Sequence, residues 1–166
     1  MEIVPIDQIP NQATEIPLDE SIAKVYDTCV QMEDLCEKSD GIGLSAVQVG
    51  IPWKLFVIKS DGNNPLVPEG RYGYFVNCDY EEVTENDRIV SVEGCLSIRS
   101  PEGQLRSFQV ERRKTIKLSG YMIKNNVYKE VDCVLDAFQQ GVVFQHEIDH
   151  QRGRLISDLG QEIFLW

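Results

Sequence analysis

The chain's only two histidines sit in one pentapeptide, His146-Glu147-Ile148-Asp149-His150. On a helix, positions i and i+4 share a face, so both imidazoles can reach one metal ion while Glu147 leans toward its open coordination position. That spacing fits a metallohydrolase with Glu147 as general base. A catalytic site of this kind takes three protein ligands plus water, so one more ligand has to come from elsewhere in the chain.

No third histidine exists. The extended string HExxHxxGxxH is matched at Gly153, but its last position holds Ile156, which cannot coordinate a metal. Metalloproteases that draw a glutamate from a helix far downstream need more chain than the 16 residues after His150, which include Asp158 and Glu162. The third ligand is therefore expected upstream, as a carboxylate or as a thiolate from one of the five cysteines. Cys95 is the most suggestive, because Gly94 before it would permit a tight turn that aims the thiol inward. Residue chemistry alone leaves Cys95, Cys78 and Cys133 open. A small HExxH metallopeptidase with an upstream third ligand is the alternative reading at this stage.

The elements that must position these groups follow from periodicity. Ile22, Val25, Tyr26, Cys29, Met32, Leu35 and Cys36 recur at helical spacing, which predicts an amphipathic helix with Asp19 as N-cap and a stop at Gly41. Residues 54–59, 72–78, 88–92, 107–117 and 127–135 are rich in β-branched and aromatic residues and read as strands. Residues 62–70 read as a loop, and the Arg112-Arg113-Lys114 run as a solvated strand edge. Asp136 is expected to cap a late helix that runs through His146 and His150 and stops near Gly153. The fold class is α+β, with antiparallel or mixed strands packed around the late metal-binding helix and an amphipathic helix near the N-terminus.

Bulk properties narrow the function further. At 166 residues and 42% hydrophobic composition, the chain is expected to form a single catalytic domain, residues 1–166, with residues 1–17 as an extended arm. A net charge of -11 disfavours a surface that tracks nucleic acid. The start lacks a signal-like apolar segment and no stretch is long enough to span a membrane, so a cytoplasmic protein with reduced thiols is expected.

Three strings then coincide in order. Gly41-Ile42-Gly43-Leu44-Ser45-Ala46-Val47-Gln48 resembles a GxGLAAxQ motif, Glu93-Gly94-Cys95-Leu96-Ser97 reads EGCLS, and residues 145–150 read QHEIDH. Together, over residues 41 to about 158, the chain resembles the peptide deformylases. The resemblance implies Cys95, His146 and His150 as metal ligands and Glu147 as the acid/base acting with metal-bound hydroxide. It implies Gln48, through its side-chain amide, and Leu96, through its backbone N–H, as the pair holding the substrate carbonyl oxygen. It maps the substrate groove onto Ile42, Gly43, Gly94, Gln139, Val142 and Val143, next to His146. It also pairs Asp149 with Arg112 as an inward brace on the metal helix.

The activity implied is hydrolytic removal of the N-formyl group from the initiator methionine of new polypeptides, in a bacterial cell or a phage-infected host. The cofactor implied is one divalent ion per chain, Fe(II) natively, with zinc, nickel or cobalt able to occupy the same site. A monomer is expected, with no membrane and no direct nucleic-acid partner. Ser45, Arg99 and Gln151 depart from the usual pattern without removing a catalytic group. The early stop at Trp166 sets the chain beside compact members, phage-type ones included, and leaves ribosome association open.

Overall fold

The computed structural model describes residues 1–164. In chain order its elements are α1 (Ile22–Lys38), β1 (Gly43–Ser45), β2 (Leu55–Lys59), β3 (Tyr72–Glu82), β4 (Arg88–Arg99), β5 (Leu105–Arg113), β6 (Thr115–Lys124), β7 (Val127–Asp136), α2 (Gly141–Gln151), α3 (Ile156–Leu159) and β8 (Gly160–Ile163). The strands form a five-stranded sheet, β1-β2-β3-β6-β7, and a three-stranded sheet, β4-β5-β8. Among the described residues every ladder is antiparallel, and the one parallel pairing is an isolated bridge between Thr14 and Trp53. The architecture is α+β, and the mixed-sheet option of the sequence reading resolves to antiparallel.

Apolar stripes explain how the helices dock. Val25, Cys29, Met32 and Cys36 of α1 are fully buried against Leu44, Leu55, Val57 and Val76. On α2, Phe144 and Ile148 insert into the other half of the large sheet. Phe144 meets the stacked pair Phe56 and Phe75 edge-on, with ring centroids 5.9 and 4.8 Å away. That contact helps fix the rotation of α2, because rings of this size bury too much apolar area to leave exposed. The remaining faces of α2 turn toward β4 and β5, which places the histidine pair between the two sheets.

Several boundaries differ from the sequence expectation for local reasons. Helix α1 starts after Ser21 rather than Asp19, and the left-handed residue that ends it is Asp40 (φ 55°), not Gly41. Asp136 caps a short 3-10 turn, Ala137–Gln139, by accepting from the backbone N–H groups of Phe138 and Gln139. Helix α2 begins only after Gln140, which is held at φ 61° with its side chain donating to Lys59 O and accepting from Asn64. The expected strand over residues 107–117 is two strands, with the chain bending at Lys114 to pass from the small sheet to the large one. Strands β1 and β8 were too short to carry a period of their own.

The N-terminal segment is tied down at several points. The Asn77 side chain, at φ 51° where the β3 register shifts, accepts from Ile16 N and donates to Ile16 O, both at 2.8 Å. Ala13 N donates to Gln151 O at 2.9 Å, and the Asn11 carbonyl packs against Gly153, where an added Cβ would lie 2.1 Å from the Asn11 oxygen. No helix among the described residues is long and apolar enough to cross a membrane.

Candidate metal centre and its cavity

Strand β4 delivers the thiol. Along it Glu93 and Cys95 are buried while Val92 and Gly94 are exposed, the alternation expected of a strand with one inward face. Gly94 keeps ordinary strand geometry rather than the tight turn read from the sequence; the irregularity is a register shift between Gly94 and Arg99 that puts residues 95–98 out of step with β5. Consequently Leu96 is buried beside Cys95 instead of facing solvent.

Helix α2 delivers the imidazoles. Cys95, His146 and His150 bring their ligand atoms within 4.8 Å of one another. His146 Nε2 and His150 Nε2 are 3.1 Å apart, and Cys95 Sγ lies 3.3 Å from His150 Nε2. A four-coordinate ion with metal–nitrogen distances of about 2.0–2.1 Å spaces its ligands roughly 3.3 Å apart, so the donor set and its spacing fit a divalent ion. Of the other thiols left open, Cys78 points instead at the carbonyl oxygens of Val76 and Tyr121. Cys133 lies on β7 outside the cluster.

Burial tunes the groups differently. His150 is held well below the usual imidazole range by burial, reinforced by the charges of His146 and Arg112, which keeps it in the neutral form a ligand requires. For His146, burial also acts downward, but hydrogen bonds with Cys95 and Glu93 outweigh it and raise the ring to about 10. Glu147 is pushed up to about 7 by burial, opposed by His146 and Arg112 and assisted by Glu93. Its Oε2 is buried and has no hydrogen-bond partner among the described residues.

Gly43 has a role beyond the groove assignment read from the sequence. A Cβ there would lie 2.4 Å from Glu147 Oε1. Gly43→Ala is therefore expected to leave the fold intact and displace the carboxylate, and a misplacement of this order costs on the order of 10²-fold in kcat. Unchanged kcat with normal metal content would show that Glu147 tolerates the crowding.

Behind the Cys95, His146 and His150 cluster sits a network that the sequence reading found only in part. Arg112 Nη1 donates to Asp149 Oδ2 at 2.5 Å, and its Nε and Nη2 donate to Glu93 Oε1 and Oε2 at 2.7 and 2.8 Å. Glu93 Oε2 also faces His146 Nδ1 at 2.8 Å, which orients the ring so that Nε2 points to the cluster. Arg112 is thus buried between two carboxylates, correcting the solvated-edge reading of its basic run. Glu93 was missed as a functional residue, although it lies two positions before Cys95 and so on the same inward face of the strand.

Burial would raise Glu93, but Arg112 and His146 hold it down to about 2. A depressed carboxylate contributes stability above the ordinary value of 4.5, and that contribution is lost as pH falls toward about 2. Arg112→Ala, which strands two buried carboxylates, is expected to cost about 3–5 kcal/mol in denaturant unfolding at neutral pH. The deficit should shrink as pH falls from 4.5 toward about 2, where the wild type loses the Glu93 contribution. A deficit under about 1 kcal/mol would contradict the bracing role.

The cluster opens into a cavity of about 340 Å³. Ile42, Gly43, Gly94, Val142, Val143, His146 and Glu147 all line it. Gln139 does not: its side chain accepts from Asp136 N at 3.2 Å and belongs to the 3-10 cap. Gln48 is buried, with Oε1 accepting from Ser45 N at 2.8 Å and Nε2 donating to Ser97 Oγ at 2.9 Å, 3.6 Å from Cys95 Sγ. Arg99 spans the β4–β5 hairpin, donating to Leu96 O at 3.3 Å and Gly103 O at 2.9 Å.

The polypeptide deformylase family model matches residues 3–162. The chain belongs to that family. It is 36% identical to a peptide deformylase of Rhodopirellula baltica over 141 residues, 84% of this chain and 63% of that protein. It is 31% identical to one from Desulforudis audaxviator, covering 81% of this chain and 77% of that one. The family fold is also seen in the deformylase of the Vibrio parahaemolyticus bacteriophage VP16T, solved in complex with actinonin. That structure has a TM-score of 0.74 and 25% identity, and the match covers 93% of this chain and 99% of the phage one.

Proposed function

We infer that the chain removes the N-formyl group from the N-terminal formyl-methionine of newly synthesised polypeptides. The observation that carries this reading is the clustering of Cys95, His146 and His150 beside a cavity that Cys95, His146 and Glu147 line, in a deformylase-family chain. One divalent ion would be held by Cys95 Sγ and the Nε2 atoms of His146 and His150, with Fe(II) as the native ion and zinc, nickel or cobalt able to replace it. When bound, such an ion supplies Lewis acidity and brings the pKa of water toward about 7.

The chain's own groups do the rest. Glu147 takes a proton from the attacking water at its unpartnered Oε2 and returns it to the departing amine. Gln48 Nε2 and the Leu96 backbone N–H donate to the formyl oxygen as charge develops on it. Gln48 is held for this task because Ser45 and Ser97 fix both ends of its amide.

Peptide entry follows from topology. Strand β1 is the edge of the large sheet and β4 the edge of the small one, and both line the cavity. An extended peptide can lie between these edges, with its methionine side chain against Val142 and Val143. The protein acts as a monomer in the cytoplasm on nascent chains.

A formyl-Met tripeptide assayed beside its unformylated twin tests this reading. Formate release from the first, with no internal cleavage of either, is expected. Internal amide cleavage at a comparable rate would turn the site into that of a small metallopeptidase.

A further inference from the structure

A second cavity, about 260 Å³, touches a different stripe of α2, that of Gln145 and Asp149 rather than His146 and Glu147. Four of the chain's eight arginines line it: Arg88 from β4, Arg112 and Arg113 from β5, and Arg154 from the turn after α2. Arg152 stacks on the Tyr80 ring at its wall, 4.6 Å from the centroid. Only two carboxylates, Glu111 and Asp149, share the lining. In a protein of net charge -11 this gathers half of the arginines on one cavity, with Glu82 and Glu93 pairing with them from outside its lining.

The acidic partners of these arginines are shared. Glu82 accepts from both Arg88 and Arg113, and Asp149 is paired with both Arg112 and Arg154; Arg112 alone has a carboxylate of its own, Glu93, and Glu111 lies 3.7 Å from Arg88. Each guanidinium carries five N–H donors in a planar fork, more than a shared carboxylate can satisfy. Arg154 Nε is buried without a hydrogen-bond partner among the described residues. Arg88, Arg113 and Arg154 keep a quarter or more of their side-chain area exposed, so donors remain accessible from the opening.

We propose that this cavity binds a single phosphate-class oxyanion, inorganic phosphate or a phosphate monoester. Three guanidiniums approach from separate elements, which suits the several acceptor oxygens of a tetrahedral anion better than the two of a carboxylate. The acidic remainder of the surface disfavours a polyanion, since a nucleic-acid strand needs a continuous basic track. The inference stands apart from the formyl-hydrolase reading, because none of Arg88, Arg113 or Arg154 lines the catalytic cavity.

The test is calorimetric titration of the nickel-loaded protein with sodium phosphate at ionic strength held constant with sodium chloride. Saturable binding is expected, weakened about tenfold or more in Arg113→Gln/Arg154→Gln as charge-assisted hydrogen bonds are lost. Glu82→Gln, which releases Arg88 and Arg113, should tighten it several-fold, a gain that a damaged fold would not produce. Parallel titration with glycerol phosphate shows whether the monoester or the free ion is preferred. The proposal is overturned by absence of saturable binding or by unchanged affinity in both variants, the latter placing the anion on the metal. A short single-stranded RNA that binds more tightly than phosphate would overturn it too.

Discussion

Cys95→Ala should leave the chain folded but nearly free of metal. The residue is buried in a small cluster with Ile98, Phe108, Val110 and Ile156, so an alanine there removes one sulfur from the packing while deleting a third of the donor set. Loss of an outer partner such as Glu93 is expected to weaken metal affinity about 10- to 100-fold; loss of a ligand should exceed that, with formyl-hydrolase activity falling in step. Metal analysis after anaerobic purification reads the first effect and formate release the second. Unchanged metal stoichiometry in the variant would remove Cys95 from the ligand set and reopen the search among the carboxylates.

Glu147→Gln should separate chemistry from metal binding. The glutamine keeps the size of the side chain, so the fit against Gly43 is retained and the metal content should match the wild type. What it loses is the proton acceptor, worth about 10²- to 10⁴-fold in kcat. Activity within threefold of wild type would exclude Glu147 as the proton carrier.

A second readout concerns the metal-free chain. Burial raises the folded value of Glu147 from 4.5 to about 7, so the folded state holds this proton more tightly than the unfolded one. Stability should then fall as pH rises through that interval, by up to about 3 kcal/mol. In the glutamine variant this contribution is absent, and its stability should decline less between pH 4.5 and 7. Parallel pH profiles for the two chains would mean that Glu147 titrates normally.

Much of this was legible in the amino-acid order because it depends on spacing. The i, i+4 histidines and the alternation around Cys95 each follow from the period of one element. Elements long enough to repeat, α1 and β7, were found nearly to the residue. What stayed hidden depends on contacts across the fold. Gly43 reads as a turn or groove glycine until α2 places Glu147 against it. Gln139 reads as a pocket residue until Gln140 turns left-handed and leaves Gln139 in the cap of the preceding turn. Gly94 looked like the source of the bend at Cys95, but a register shift does that work, and register is a property of two strands. Arg112 carried two conflicting readings, which only its partners on β4 and α2 could decide.

The bond from Ala13 to Gln151 ties the N-terminal arm to the last residue of α2. The two residues are distant in sequence, so the contact is non-local and its loop-closure entropy must be offset by the packing it brings. The arm and the end of α2 hold one another in place, and His146 and His150 sit on the helix that this clasp fixes.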